Sequence, residues 1–261
     1  MTVLRSRANP RVRRWQRLAR DARARRTEGR ALIEGPHLLD AFLASGGRPE
    51  AVIVSETGIA RREIEELVGR AGVTPVVLSD AVFRTIADAE TPQGVAAEFA
   101  PREMQPSLSD SPCCVLLDGI QDAGNVGAIL RSAAAFGVRD ILLGPGCADP
   151  WSPKVLRAGM GAYFTLRIGA SRDPVADLDR FGGTVACTIP HGGTPIAQVD
   201  LKGRVLWIFG AEGGGVDRAL AARSHLRITI PMPGTAESLN VAAAAAICFY
   251  ERARQLRATI K

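Results

Sequence analysis

Three stretches of this chain follow short apolar runs and carry side chains able to hold or order a ligand. The first is Asp118-Gly-Ile-Gln-Asp-Ala-Gly-Asn125-Val-Gly-Ala-Ile-Leu-Arg131, with an amide at Asn125 and a guanidinium at Arg131. The second is Phe209-Gly210-Ala-Glu212-Gly-Gly-Gly215, and the third runs from Ile230-Pro-Met232-Pro-Gly234 to Ser238-Leu239-Asn240. Ligands of open α/β sheets bind beyond the carboxyl ends of the strands, so the three loops could line one crevice. Taken singly, each has a plainer reading. Asn125 and Ser238 could cap helices, the glycines at 213–215 could form only a turn, and Arg131 could belong to a structural ion pair.

The common nucleotide signatures are missing. Neither 210–215 nor Gly144-Pro-Gly146 completes GxGxxG, and there is no GxxxxGK[ST], which argues against a dinucleotide dehydrogenase or a P-loop NTPase. The five cysteines, Cys113, Cys114, Cys147, Cys187 and Cys248, form no CxxC pair, and His37, His191 and His225 are scattered. That pattern predicts reduced, mostly buried thiols, with neither a disulfide framework nor a metal site.

The elements that would position these loops alternate. Apolar strands are expected at 113–118, 141–143, 164–168, 184–188, 205–209 and 226–230, followed by a long helix from about Ser238 to Leu256. Near-continuous apolar strands imply a mostly parallel sheet covered on both faces. The first half alternates too, with strands at 31–34, 51–55, 75–78 and 95–99 and helices at 36–44, 59–69 and from Ser79, an α/β layer. Prolines and serines between 101 and 112 read as a linker, which gives two domains.

Charge is unevenly placed. Residues 1–30 hold eleven arginines against Asp21 and Glu28, so the overall net charge of +6 leaves residues 31–261 at −3. Asn9-Pro10 reads as a helix start. Val12, Trp15 and Leu18 then recur at helical spacing, with Arg11, Arg13, Arg14 and Arg17 mainly on the other faces. Residues 1–27 are therefore expected to be a basic helical extension that contacts RNA backbone, since clustered arginines gain affinity by displacing condensed counterions. No apolar run reaches the roughly 18 residues of a membrane span, and the arginine-rich start lacks the core of a secretory signal, so a cytoplasmic location is expected.

Taken in order, the three segments resemble the three motifs of the SpoU (TrmH-like) RNA ribose methyltransferases over about residues 113–250. Leu32-Ile-Glu-Gly35 and Thr91-Pro-Gln-Gly94-Val likewise resemble the family's ribosomal-protein-like accessory domain, over about 28–100. The resemblance implies 2′-O-methylation of a ribose in structured RNA, with large-subunit ribosomal RNA favoured and S-adenosylmethionine as methyl donor. It also implies a homodimer and a C-terminal SPOUT-type domain (113–261) containing a trefoil knot. By the same resemblance Asn125, Arg131, Glu212, Ser238 and Asn240 would be catalytic, with Arg131 acting across the dimer. Thr188, Gly210, Ile230, Met232 and Leu239 would bind the cofactor, Gly210 by sparing a side chain that would hold the backbone away from it. A transfer RNA methyltransferase, or a non-catalytic RNA-binding or ribosome-assembly factor, is the alternative.

Overall fold

The alternating pattern resolves into two separate sheets, one in each of two units of the chain. The structure is a computed structural model and describes residues 2–101 and 104–258. The first unit runs to about position 102 and also takes in Asp149–Phe164; the remainder forms the second.

In the first unit the elements are β1 (Val3–Leu4), α1 (Pro10–Arg20), α2 (Ala22–Glu28), β2 (Ala31–Glu34) and α3 (Pro36–Ala44). They continue with β3 (Ala51–Ser55), α4 (Arg62–Ala71), β4 (Val76–Leu78), α5 (Asp80–Phe83) and β5 (Val95–Phe99). The sheet order is β1-β4-β3-β5-β2; β5 runs antiparallel to both its neighbours and the other pairs are parallel.

Helix α1 begins as its sequence predicts: the Asn9 side chain accepts from the Arg11 amide at 3.0 Å, and Pro10 opens the helix. It is not a separate extension, however. Val12, Trp15 and Leu18 are fully buried and pack with Leu32, Ile53, Leu78 and Phe83, so the helix covers the sheet and belongs to the unit's core. It stops at Arg20 because Asp21 turns extended and caps α2, its carboxylate accepting from the Arg23 amide at 2.7 Å.

Glu98 on β5 holds the helix in place. This carboxylate is 3% exposed and accepts from Trp15 Nε1 and from the Arg14 guanidinium, each at 2.8 Å. Arg14 also donates to Glu28 at 2.5 Å, and its pKa is raised chiefly by the hydrogen bond to Glu98. Replacing Glu98 by alanine leaves a buried indole N–H without an acceptor and a guanidinium short of a partner. The variant is expected to lose about 2–4 kcal/mol of stability, read as a lower melting temperature of the full chain.

Residues 149–164 carry α7 (Pro153–Gly159) and all but the last residue of a 3₁₀ turn, Met160–Thr165, where the sequence predicts a strand from Phe164. Phe164 is drawn instead into an aromatic cluster with Phe42, Phe99 and Tyr163. The buried Arg25 donates to Asp149 at 2.7 Å and to the Leu18 carbonyl at 2.6 Å.

The second unit contains β6 (Cys113–Asp118), α6 (Ala123–Ala135), β7 (Asp140–Leu143), β8 (Arg167–Ala170), α8 (Pro174–Phe181) and β9 (Thr184–Thr188). It closes with β10 (Thr194–Pro195), β11 (Val205–Gly210), α9 (Arg218–Ala222), β12 (Leu226–Thr229) and α10 (Val241–Ala258). All pairs in its seven-stranded sheet are parallel, in the order β10-β12-β9-β11-β6-β7-β8. The central strands β6 and β11 are buried along their length up to their last residues, and α10 packs against α6. Within 101–112, expected as a linker, residues 104–112 lack helix and strand but are fastened to this unit. The Ser107 amide donates to Asp140 at 3.1 Å, and Arg204 donates to the Leu108 carbonyl at 2.6 Å.

Candidate active site

The loops beyond β6, β11 and β12 meet in a triangle of side chains. Asp122 caps α6, accepting from the Asn125 amide at 2.8 Å, and that leaves the Asn125 side chain uninvolved in capping. Its Nδ2 donates to Glu212 Oε1 at 2.8 Å. Asn240 Nδ2 donates both to Asn125 Oδ1 and to Glu212 Oε1, each at 2.9 Å. The Asn240 side-chain oxygen also accepts from the Ala242 and Ala243 amides at 3.0 and 3.3 Å, so Asn240, not Ser238, starts the last helix. One carboxylate oxygen is thus fixed by two amide donors from separate loops.

Beside the triangle lies a pocket of about 750 Å³, within the range of roughly 300–1,000 Å³ common to small-molecule sites. Its walls are the end of β9 and the residues that follow, Thr188 to His191, the loop Gly210–Gly215, Ile230 and Met232, and the segment from Glu237 to Val241 with Ala244. Thr188, Gly210, Ile230, Met232 and Leu239 all line it, together with Glu212, Ser238 and Asn240. Asn125 joins through its hydrogen bonds. Arg131 does not line the pocket: it lies six residues beyond Asn125 on α6, about 240° further round the helix after one full turn. It is exposed, and its side chain makes no hydrogen bond or ion pair among the described residues.

Gly210 lines the pocket, yet its missing side chain serves another contact. A Cβ there would stand 2.1 Å from Gly215 backbone atoms and 2.3 Å from the Val216 nitrogen. Glycine at 210 lets the loop fold back on itself, where the Gly215 amide donates to the Ala211 carbonyl at 2.8 Å. Gly213 and Gly215 both take positive φ, at 86° and 67°, a region costly for other residues. Asp118 secures the far end of this loop by accepting from the Asp217 amide at 2.7 Å.

Ile189, Pro190, His191 and Glu237 are wall residues that the motif reading missed. The signal was present for the first three, which follow an apolar strand just as the other loops do. The arginines of α1 divide. Arg14 is committed to Glu28 and Glu98, Arg17 reaches Glu28 at 3.3 Å, Arg11 lies 5.2 Å over the Trp15 ring, and Arg13 is exposed. Among the described residues no group of three His, Cys, Asp or Glu is placed to hold a metal ion. The five cysteines are free thiols, and burial pushes the pKa of Cys114 up to about 11.

Residues 112–250 match the SpoU rRNA Methylase family, more than half of the chain. The chain belongs to that family. In this SpoU protein residues 9–97 also match the MRM3-like substrate binding domain, which includes helix α1. The SpoU chain is 33% identical over 253 residues to the 23S rRNA (guanosine(2553)-2′-O)-methyltransferase RlmP of Bacillus subtilis, covering 96% of this chain and 98% of that one. A crystal structure of an RNA 2′-O ribose methyltransferase superposes with a TM-score of 0.82 at 30% identity, covering 97% of this chain and 99% of its own. An AdoMet-bound rRNA methyltransferase from Sinorhizobium meliloti gives a TM-score of 0.82 at 27% identity, with 98% of each chain covered.

Proposed function

We propose that this protein transfers a methyl group from S-adenosylmethionine to a ribose 2′-hydroxyl of large-subunit ribosomal RNA. The observation that carries the reading is the Asn125–Glu212–Asn240 triangle at the edge of a pocket of cofactor size. The pocket residues fit the cofactor: Ile230, Met232 and Leu239 offer an apolar slot, while Thr188 and the backbone of 210–215 offer polar groups. When bound, S-adenosylmethionine supplies an electrophilic methyl group. What the chain must supply is orientation, and orientation of two bound reactants is worth roughly 7–11 kcal/mol in favourable systems. Glu212, held by two amides, orders the loops that carry Ser238 and Asn240.

Arg131 acts on the RNA. Its guanidinium fixes phosphate and ribose through forked donors, with proton acceptance secondary because a guanidinium presents donors and no acceptor. We place it in the site of a second copy of the chain. The support is its position round the helix from Asn125 and the apolar side chains left exposed on α10, which packs on α6: Ile247 and Tyr250 are 37% and 55% exposed, and Phe136 lies 6.0 Å from the Tyr250 ring. By the same family likeness, the C-terminal segment that carries α10 is the threaded part of a trefoil knot.

The first unit holds the RNA, with Arg11, Arg13 and Arg17 toward the backbone phosphates, whereas Arg14 is spent inside the fold. Removing α1 would take away part of the core, so point substitutions are the cleaner probe. Changing Arg11, Arg13 and Arg17 together to alanine is expected to flatten the log–log salt dependence of RNA binding by roughly 0.7 per lost contact on single strands. An unchanged slope would remove these residues from the interface. The function itself is tested by transfer of labelled methyl from S-adenosylmethionine to ribosomal and transfer RNA from a strain lacking the gene, followed by nuclease mapping. A 2′-O-methyl nucleotide in large-subunit ribosomal RNA is the expected product, and transfer to neither RNA would refute the reading.

A further inference from the structure

The loop that carries Pro190 and His191 into the pocket is closed at its base by one hydroxyl. Thr229, the last residue of β12, donates from Oγ1 to the Ile189 carbonyl at 3.1 Å and accepts from the Gly193 amide at 2.9 Å. A hydroxyl has one proton to give and lone pairs to accept with, and here both capacities join the two ends of a five-residue loop. The neighbouring backbone completes the closure, with the Ile189 amide donating to the Ile228 carbonyl at 2.9 Å. Gly193 has to be glycine for the loop to come this close, because a Cβ there would stand 2.7 Å from both the Arg227 carbonyl and Thr229 Oγ1. Gly192, at φ 79°, turns the tip.

Thr229 itself is not part of the pocket wall, but the residue after it, Ile230, is, and so are Ile189, Pro190 and His191. One side chain therefore sets the spacing between two walls that come from different strands. We propose that Thr229 is a positioning residue for the cofactor pocket, acting through the Ile189–Gly193 loop. Its hydroxyl is what holds Pro190 and His191 against the ligand. This rests on the reading of the pocket as the S-adenosylmethionine site.

The test compares the full-length wild type with Thr229→Val, which keeps the branched shape and loses both bonds, and Thr229→Ser, which keeps both. S-adenosylmethionine binding is measured by calorimetry, and KM values for S-adenosylmethionine and for unmethylated large-subunit ribosomal RNA are measured by methyl transfer. Two net hydrogen bonds correspond to an effect of about 10-fold. Thr229→Val is expected to raise Kd and KM for S-adenosylmethionine by that factor while the KM for RNA stays at its wild-type value, and Thr229→Ser is expected to restore the affinity. A merely structural role would lower the melting temperature and move both KM values together. Should Thr229→Val melt far below the wild type, the Thr229→Ala and Thr229→Ser pair at reduced temperature decides the matter by the same split. Wild-type affinity in Thr229→Val overturns the positioning role and leaves the cofactor site standing. No binding of S-adenosylmethionine by the wild type overturns both.

Discussion

Arg131→Ala is expected to retain the melting temperature of the wild type and to lose methyl transfer by about 100-fold to 1,000-fold, the scale on which removal of one positioned donor acts. The first half of that expectation follows from its surroundings. Arg131 is exposed and its side chain makes no hydrogen bond or ion pair among the described residues, so no side-chain contact of the fold depends on it. The second half follows from its proposed work on phosphate and ribose, which needs a planar fork. Arg131→Lys should therefore recover little activity, because an ammonium offers a point charge in place of two parallel donors. Mixing Arg131→Ala with a second variant disabled at Glu212 gives a sharper outcome: if Arg131 serves the neighbouring copy, mixed dimers regain one working site and activity returns. A chemical step governed by a group near neutrality, and still so governed in Arg131→Ala, would deny the arginine any part as base.

Asn240→Asp should be the most damaging near-isosteric change in the second unit. The substituted side chain keeps an oxygen for the Ala242 and Ala243 amides, so the start of α10 is preserved, and an acid at a helix start is favourable. The other end of the side chain is inverted. Where an N–H₂ group donates to Glu212 Oε1 and Asn125 Oδ1, both at 2.9 Å, a carboxylate oxygen would face two acceptors, one of them charged. Losing two bonds and gaining a repulsion should lower kcat/KM by about 100-fold, close to 2.7 kcal/mol. Asn240→Ala, which loses the same two bonds and the cap but adds no charge, should lose about 1 kcal/mol of stability through the cap and less activity than the aspartate. Activity lower in the aspartate than in the alanine variant checks the assignment.

Much of the framework could be read from local chemistry. Gly35-Pro36 at one end and Ser45-Gly46-Gly47 at the other bound a helix whose limits, Pro36–Ala44, are those the sequence predicts. The strands at 113–118 and 184–188 match as well, being apolar runs closed by polar residues. Boundaries set by distant partners were less legible. The last helix begins at Val241 because Asn240 is shared between the cap and the triangle, and Phe164 leaves its expected strand for an aromatic cluster. The two-residue strands β1 and β10 exist only through pairing with β4 and β12. Spacing could nominate Asn125, Glu212 and Asn240 but could not bring them together. Their contacts span 87 and 115 residues of chain, and no local rule converts such separations into 2.8 and 2.9 Å.

The membership of Asp149–Phe164 in the first unit bears on how such proteins can be taken apart and recombined. A fragment ending near residue 101 would carry the whole first sheet yet lack Asp149, the partner of buried Arg25, and Phe164, whose ring meets Phe42 and Phe99. A fragment starting near residue 104 would carry that same segment with Phe164 parted from Phe42 and Phe99 and Trp151 parted from Phe99. The first unit therefore cannot be moved whole by cutting this chain once and joining front to back. A working chimaera has to transplant two stretches of sequence as a matched set, and drift in one stretch constrains what the other can accept.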